Sequence, residues 1–366
     1  MNRHKFSEKK MIRLLLNALS VIRSGIDSIA KLCYLKRRRS TSEKCVIATV
    51  LIIIYYFYKG ADQNRRSEMQ DFRSYKMIAK HSTLNIPSLP MNEKIHVAMG
   101  LLFVSLDPKS AARAVETISW ILVQSSAKIQ FHIFADVNSI DTIHRIFKLA
   151  DDKALVDYDY DIETLDTIYD DLIDHVKVHQ PRITLDIFRE HLVTQMLPLL
   201  FMYHYSSVDK MIFVSHNLQV RSNLIELYNI FHNFSDNNVI GMAKLQNAKY
   251  YDSFVEHRYL FPKSKIGRLD GNPGFDINLM LLKLGKMRES KHFQKYLDLE
   301  SQFYLLKKYN FKTVEQLPNM EEWITLIATE SPELIYGLPC QWNVQLKSET
   351  VEHEKCLEQP KAVALQ

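Results

Sequence analysis

The side chains best suited to bind a ligand are Ser215, His216 and Asn217, which directly follow the apolar segment Lys210 to Val214. A hydroxyl, an imidazole and an amide can all hydrogen-bond a polar ligand. The Asn217 oxygen and the His216 imidazole can also ligate a divalent metal, but weakly, because hard cations prefer carboxylates. The plain alternative is a polar turn at the end of a strand.

A second polar stretch, Gly271 to Asp276, stands before the apolar run Leu279 to Leu282. We expect the stretch from Gly274 through Phe275 and Asp276 to Asn278 to lie across a cleft from residues 215–217. Both polar stretches therefore flank strand-like segments, and their meaning depends on how those strands are arranged.

Strand-like runs alternate with helical patterns from Ile95 onward, which predicts an α/β domain with a mostly parallel sheet. Ligands of such sheets lie at the carboxyl ends of the strands. Residues that follow strands, among them Ser105, are therefore candidates for binding. The predicted strands are Ile95 to Val104, Lys128 to Ala135, Lys210 to Val214 and Val239 to Ala243. The predicted helices are Lys109 to Gln124, Ile140 to Leu149 and Thr184 to Leu197, the last ended by Pro198.

A rival metal site is offered by Asp157, Asp159 and Asp161, which alternate along one predicted strand. Alternation places all three carboxylates on one face. A solvated edge strand has the same pattern, and we prefer that interpretation.

Charge is distributed unevenly along the chain. Residues 1–44 hold twelve Lys/Arg and three Asp/Glu, a net charge of +9, whereas the other 35 Lys/Arg and 39 Asp/Glu give −4. A nucleic-acid-binding body needs a basic face. The acidic body excludes nucleic acid as the main partner.

A charge-free run of 14 residues, Cys45 to Tyr58, follows the cluster Arg37 to Arg39. As a helix it spans roughly 21 Å, which is short for a bilayer core of ~27–30 Å, but Lys44 and Lys59 can snorkel at its ends. The arginine cluster predicts a cytosolic N-terminus and a lumenal body. A cleaved signal peptide and a buried helix remain alternatives.

These observations divide the chain into five parts. They are a basic cytosolic segment (1–44), a signal anchor (45–58), a stem (59–93), a folded body (94–346) and a polar tail (347–366). The sequon Asn233-Phe234-Ser235 fits a lumenal body.

Three segments of the body resemble glycosyltransferase family 8. The first is KMIFVSHNLQVRSNLIELYNIF, from Lys210 to Phe231. The other two, GNPGFDINLMLLKLGKMRES (Gly271 to Ser290) and ESPELIYGLPCQWNVQL (Glu330 to Leu346), are together rather specific to xyloside xylosyltransferases.

The resemblance implies a glycosyltransferase-A fold, with a Rossmann-like sheet covered by helices on both faces, behind a single membrane helix. It also implies a type II anchor in the endoplasmic reticulum or Golgi, UDP-xylose as donor and manganese as cofactor. The reaction would be a retaining transfer of xylose to a xylose that is linked through glucose to an EGF-like repeat.

The resemblance also assigns site residues, several of them altered. Ser215 and Asn217 stand at the family's Asp-x-Asp positions, so Asn217 and His216 are the remaining candidate metal ligands. Gly274 to Asp276 align with the sugar-binding block, and Asn278 stands at its glycine position.

Two further motifs of the family are changed. Glu321 replaces the glutamine of the Asp-Gln-Asp block, so Glu321 and Asn278 are the predicted catalytic positions. The C-terminal His-Gly ligand is matched only by His353-Glu354.

Three hypotheses follow. The chain is a xylosyltransferase with unusual or metal-independent donor binding, an inactive relative that binds a glycan or a protein, or, least favoured, a structural membrane protein. Because an oxidising lumen does not leave thiols exposed, we also expect Cys340 to be buried or bonded to Cys356.

Overall fold

The structure, a computed structural model, describes residues 93–168, 197–247, 252–310, 319–345, 356 and 360–364. The chain divides into two units, Met1–Leu84 and Asn85–Gln366, and every described residue belongs to the second. The predicted basic segment, the anchor at 45–58 and all of the stem except residue 93 lie outside the described residues. Within the described ranges, no helix is long and apolar enough to cross a membrane.

The main sheet has seven strands in the order β3-β2-β1-β4-β7-β6-β8. Only β7 runs antiparallel to its neighbours, β4 and β6; the other pairs are parallel. The mostly parallel sheet predicted from the sequence is therefore confirmed. The strands are β1 (Ile95–Leu101), β2 (Ile129–Ala135), β3 (Tyr158–Thr164), β4 (Met211–Val214), β6 (Ile240–Lys244), β7 (Phe275–Leu282) and β8 (Ile335–Gly337).

A second, three-stranded sheet lies next to the end of β4. Its order is β5-β10-β9, with β5 at Leu218–Val220, β9 at Val344–Gln345 and β10 at Ala362–Ala364. Segment 347–366 was predicted as a polar tail outside the body. This prediction is wrong at residues 362–364, because that apolar triplet forms the central strand of this sheet.

Helices cover both faces of the main sheet, as predicted. One apolar layer forms around Ala98, Phe134 and Trp323, and the other around Val97, Ile118 and Phe147. The α-helices are α1 (Pro108–Gln124), α2 (Ile140–Asp151), α3 (Leu197–His204), α4 (Leu224–Asn229), α5 (Val255–Leu260), α6 (Leu284–Glu289), α7 (Lys291–Gln294), α8 (Leu299–Lys308) and α9 (Met320–Glu330).

Two boundaries differ from the sequence prediction. The first strand ends at Leu101 rather than Val104, because the chain turns at Phe103, whose φ is 58°. Pro198 does not mark the end of a helix, because it lies inside α3, which is described from Leu197 to His204 as a buried apolar segment. The rest of the predicted helix, 184–196, lies outside the described residues.

The acidic alternation at Asp157, Asp159 and Asp161 precedes and enters β3, the edge strand of the main sheet. The Asp159 carboxylate pairs with Lys94 and Lys128 at 2.8 and 3.2 Å. The preferred interpretation as a solvated edge strand is thus confirmed.

Candidate functional site

Ser215, His216 and Asn217 follow β4, the middle strand of the seven, at its carboxyl end. They form a tight turn in which the Leu218 amide donates to the Ser215 carbonyl at 3.1 Å. The Asn217 amide donates to Ser215 Oγ at 3.2 Å. All three residues are half-buried, and the chain enters β5 directly after them. Their predicted position at a central strand end is therefore observed.

Helix α1 supplies two contacts to this turn that the sequence analysis missed. Arg113 Nη1 donates to Asn217 Oδ1 at 2.9 Å, and Thr117 Oγ1 donates to the His216 carbonyl at 2.9 Å. The two side chains lie one helical turn apart and so face the same way. No local pattern in the sequence marks Arg113 as part of the site, because its partner Asn217 lies 104 positions away in the chain.

The imidazole of His216 lies close to the backbone of Gly100 in β1. Burial lowers the pKa of His216 below its ordinary value, outweighing the opposing effect of that backbone, and the positive charge of Arg113 makes a smaller contribution in the same direction as burial. The imidazole is therefore neutral at pH 7. A Cβ built at Gly100 meets no atom within 4 Å, so there is open space beside this residue.

Strand β7 borders the turn on the other side. The Ser215 amide donates to the Asn278 carbonyl at 2.8 Å, which continues the antiparallel ladder of β4 and β7 by one residue. The buried Asp276 accepts from the Asn278 amide at 2.8 Å through Oδ1. We expected this segment on the far side of a cleft; Asn278 lies beside Ser215 instead, because β7 is the direct neighbour of β4.

Gly274 precedes β7 with φ 103°, a conformation that favours glycine. Its carbonyl accepts from the Leu245 amide at 3.0 Å. Phe275 then enters the strand opposite Lys244 and is buried. In the structure, Gly274 and Phe275 thus position the start of β7 against β6.

Ser105 lies exposed in the turn after β1. Its amide donates to Ser139 Oγ at 3.3 Å, and that hydroxyl donates to Asp136 Oδ2 at 2.7 Å. The Phe103 amide donates to the same carboxylate oxygen at 2.6 Å. Burial acts to raise the pKa of Asp136, but these hydrogen bonds hold that pKa below its usual value. The sequence analysis missed Asp136, which directly follows β2.

Glu321 lies buried in the first turn of α9. The helix begins with a capping box in which Asn319 and Glu322 satisfy each other's backbone amides. α9 packs on β7, the strand that carries Asn278. The catalytic assignment of Glu321 and Asn278 stays a prediction.

A buried amide group lies beyond the end of β6. The Gln246 amide donates to Gln345 Oε1 at 3.0 Å, and the Gln345 amide donates back to Gln246 Oε1 at 3.2 Å. Gln246 Nε2 also donates to the Asn343 carbonyl at 3.1 Å. The Asn343 side chain is fully buried, and neither its oxygen nor its nitrogen has a hydrogen-bond partner among the described residues.

Manganese does not fit the residues at the end of β4. The expected ligand oxygen of Asn217 already accepts from a guanidinium, and a fixed positive charge repels a second cation at the same place. None of the side chains at positions 215–217 is a carboxylate. Across the described part of the chain, no group of three or more His, Cys, Asp or Glu residues is arranged to hold a metal.

Comparison with known proteins finds relatives that are glycosyltransferases by name. No protein-family model matches the chain. It is 33% identical to mouse xyloside xylosyltransferase 1 over 141 residues, 38% of this chain and 35% of that protein. It is also 24% identical to rat xylosyl- and glucuronyltransferase LARGE2 over 284 residues, 75% of this chain and 36% of that protein. The chain thus spans about a third of the length of these relatives.

The crystal structure of mouse xyloside xylosyltransferase 1 in its apo form matches with a TM-score of 0.63 at 21% identity. The match covers 74% of this chain and 97% of that one. The chain is homologous to xyloside xylosyltransferase 1 and to the LARGE proteins, and its body has the glycosyltransferase-A fold.

Proposed function

We propose that this protein is a glycosyltransferase that binds a nucleotide sugar at the carboxyl end of β4. The position of Ser215, His216 and Asn217 carries this proposal, because ligands of such sheets lie at the strand ends. The half-buried polar turn and the open space beside Gly100 are consistent with a bound diphosphate.

The finer proposal names UDP-xylose as donor. It rests on the similarity to xyloside xylosyltransferase 1 and to LARGE2, a xylosyl- and glucuronyltransferase by name. The acceptor we propose is a xylosylated glucose on an EGF-like repeat, with retention at the transferred sugar.

A second candidate function is favoured by the absence of carboxylates from residues 215–217. Glycosyl transfer expels a diphosphate, and in this fold a divalent metal commonly neutralises it. With no such ligand set, the protein would bind a nucleotide sugar, a glycan or a protein without turnover, as a regulatory membrane protein.

We further propose that the body lies in the lumen of the endoplasmic reticulum or Golgi behind a type II anchor at 45–58. Cys340 and Cys356 form a disulfide, and disulfides persist in oxidising compartments. This confirms the expectation of a buried or bonded Cys340 and supports the lumenal assignment.

Calorimetry with UDP-xylose, UDP-glucose and UDP separates these candidates when it is combined with a transfer assay. Binding of UDP-xylose together with xylose transfer to a xylosyl-glucosyl EGF-like repeat supports the enzyme. Binding without transfer to any xylosylated acceptor supports the second candidate. Failure of all three nucleotides to bind would overturn the proposed site.

A further inference from the structure

Arg113 lies against Asn217, the residue from which a metal ligand was expected. Its guanidinium donates to Asn217 Oδ1 at 2.9 Å. Of the side-chain atoms in this turn, that amide oxygen most resembles the carboxylate oxygen that would bind a metal. The side chain is half-buried on α1 and points to the end of β4. The second contact from α1, between Thr117 and the His216 carbonyl, fixes the helix against the turn.

Among the described residues, Arg113 contacts the neutral side chain of Asn217 and forms no ion pair with a carboxylate. Asn217 orients the guanidinium without carrying a charge. Asp107, an acid whose charge acts on His216, uses its oxygens to cap α1 by accepting from the Lys109 amide and the Ser110 hydroxyl. The turn therefore presents a fixed cation where an Asp-x-Asp pair would present two negative charges.

A guanidinium is chemically suited to a diphosphate. It stays charged at every physiological pH and offers five donors in a planar fork that matches phosphate oxygens. Within the described part of the chain, Arg113 makes one side-chain hydrogen bond, to Asn217, so its other donors are available to a ligand at the end of β4.

We propose that the Arg113 guanidinium takes the place of the divalent metal and neutralises the diphosphate of the bound nucleotide. This inference rests on the proposed function, since it assumes a nucleoside diphosphate at the end of β4. It assigns Arg113 as a diphosphate-binding residue and makes donor binding independent of metal.

The test uses calorimetry to measure the affinity of the full-length protein for UDP and for uridine. Each ligand is measured first in EDTA and then in manganese. For the unaltered protein, we expect UDP affinity to be the same within about twofold in both. Loss of a hydrogen bond to a charged group corresponds to about 10- to 100-fold in affinity. Arg113→Ala should therefore weaken UDP binding by that factor and leave uridine binding unchanged.

Matched variants separate charge from structure. Arg113→Gln keeps a hydrogen-bond donor toward Asn217 without the charge, so its affinity for UDP should fall as far as that of Arg113→Ala. Arg113→Lys keeps the charge and should retain part of the affinity. Arg145→Ala serves as the control, because Arg145 lies exposed on α2 and, among the described residues, its side chain hydrogen-bonds Asp141 and Thr142 of its own helix.

Three results would overturn the inference. If UDP bound only in the presence of manganese, or equally well to Arg113→Gln, the proposed nucleotide site would stand and the role of Arg113 would fail. If neither UDP nor uridine bound the unaltered protein in any condition, the proposed function would fail together with the inference.

Discussion

At the residue scale, the chemistry of the site depends on what surrounds Asn217 as much as on Asn217 itself. A carboxylate there would form an ion pair with Arg113 before it could serve a metal, because the two side chains already touch. Restoring the Asp-x-Asp pattern is therefore insufficient while the guanidinium remains.

Manganese affinity gives a direct measure of this competition. Ser215→Asp with Asn217→Asp should bind manganese weakly, and adding Arg113→Ala should raise the affinity by about tenfold or more, because hard-cation affinity follows carboxylate charge. Electron paramagnetic resonance of free manganese would report the difference. Ser215→Asn in the Arg113→Ala background is the neutral control of similar shape, and equal affinity in control and triple variant would contradict the argument.

At the scale of secondary structure elements, a cluster of titratable side chains joins α3 to the edge of the main sheet. His132 on β2 hydrogen-bonds His96 on β1 at 2.9 Å and lies against the Tyr205 ring at 4.5 Å between centroids. Glu163 on β3 accepts from the Tyr205 hydroxyl at 2.9 Å and hydrogen-bonds His204, the last residue of α3. The attachment of α3 is therefore sensitive to protonation.

Burial, followed by the charge of His96, lowers the pKa of His132 to about 4. The His132 imidazole therefore stays neutral in the folded state at pH values where the same imidazole is protonated in the unfolded chain, whose pKa is about 6.5. Stability should fall as pH drops from about 6.5 toward 4, by about 2 kcal/mol between pH 7 and pH 5. Glu163, whose pKa is held below its ordinary value by His204 and Tyr205 against the opposing effect of burial, adds to the loss only at lower pH.

Urea unfolding at pH 7 and pH 5 measures this dependence. His132→Gln should remove the share of about 2 kcal/mol that His132 contributes, because glutamine does not titrate. His232→Gln, at an exposed residue, should leave the dependence intact. His96, whose pKa is also lowered by burial, contributes to the part that remains. An unchanged pH slope in His132→Gln would show that another group is responsible.

The second sheet depends on a covalent link. Cys340 and Cys356, 16 positions apart, join the segment before β9 to the segment before β10. Closing a loop of this length stabilises a fold by about 3 kcal/mol in the chain-entropy account. Cys340→Ala with Cys356→Ala should lower the free energy of unfolding by about that amount.

Hydrogen exchange would locate the effect of this double variant. Amides of β5 and β10 should lose protection first, because β10 lies between β5 and β9. Reductant should weaken the unaltered protein and leave the double variant unaffected. If β5 kept its full protection, the disulfide would not support the end of the site.

Helices and strands with a clear periodicity of apolar residues were predictable from the sequence. Elements and contacts that depend on pairing with distant parts of the chain were not. Apolar runs at β1, β2 and β4 and the helical pattern of α1 predicted the sheet and the end of β4 closely. β10 has only three residues, Ala362–Ala364, and no local pattern reveals a strand whose partners lie elsewhere in the chain. For the same reason Arg113 was missed, since its partner Asn217 is 104 positions away.

At the scale of the whole molecule, the proposed topology makes the body lumenal. In microsomes, protease added outside should leave the body intact until detergent is present, because the arginine cluster before residue 45 retains the N-terminus in the cytosol. Digestion of the body from the cytosolic side would rule out this topology.

The sequon at Asn233 gives an independent reading of the same topology. Asn233 is exposed at the end of a 3₁₀ turn, Ile230–Asn233, so a glycan there would clash with no buried side chain. Endoglycosidase should reduce the mass of the expressed protein, and Asn233→Gln should abolish that shift. A protein of the same mass with and without the enzyme would contradict a glycosylated lumenal body.

The pairing of β5 with β10 has a consequence for the timing of folding. Val220 pairs with Ala362, so the strand that leaves the site waits for a partner synthesised 142 positions later. At roughly 5–20 residues per second, the wait is roughly 7 to 28 seconds, during which β5 is an open edge beside the turn at residues 215–217. The proposed ligand site is thus among the last parts of the molecule to mature, and a nascent chain stalled before residue 362 would hold a nearly complete main sheet without a finished site.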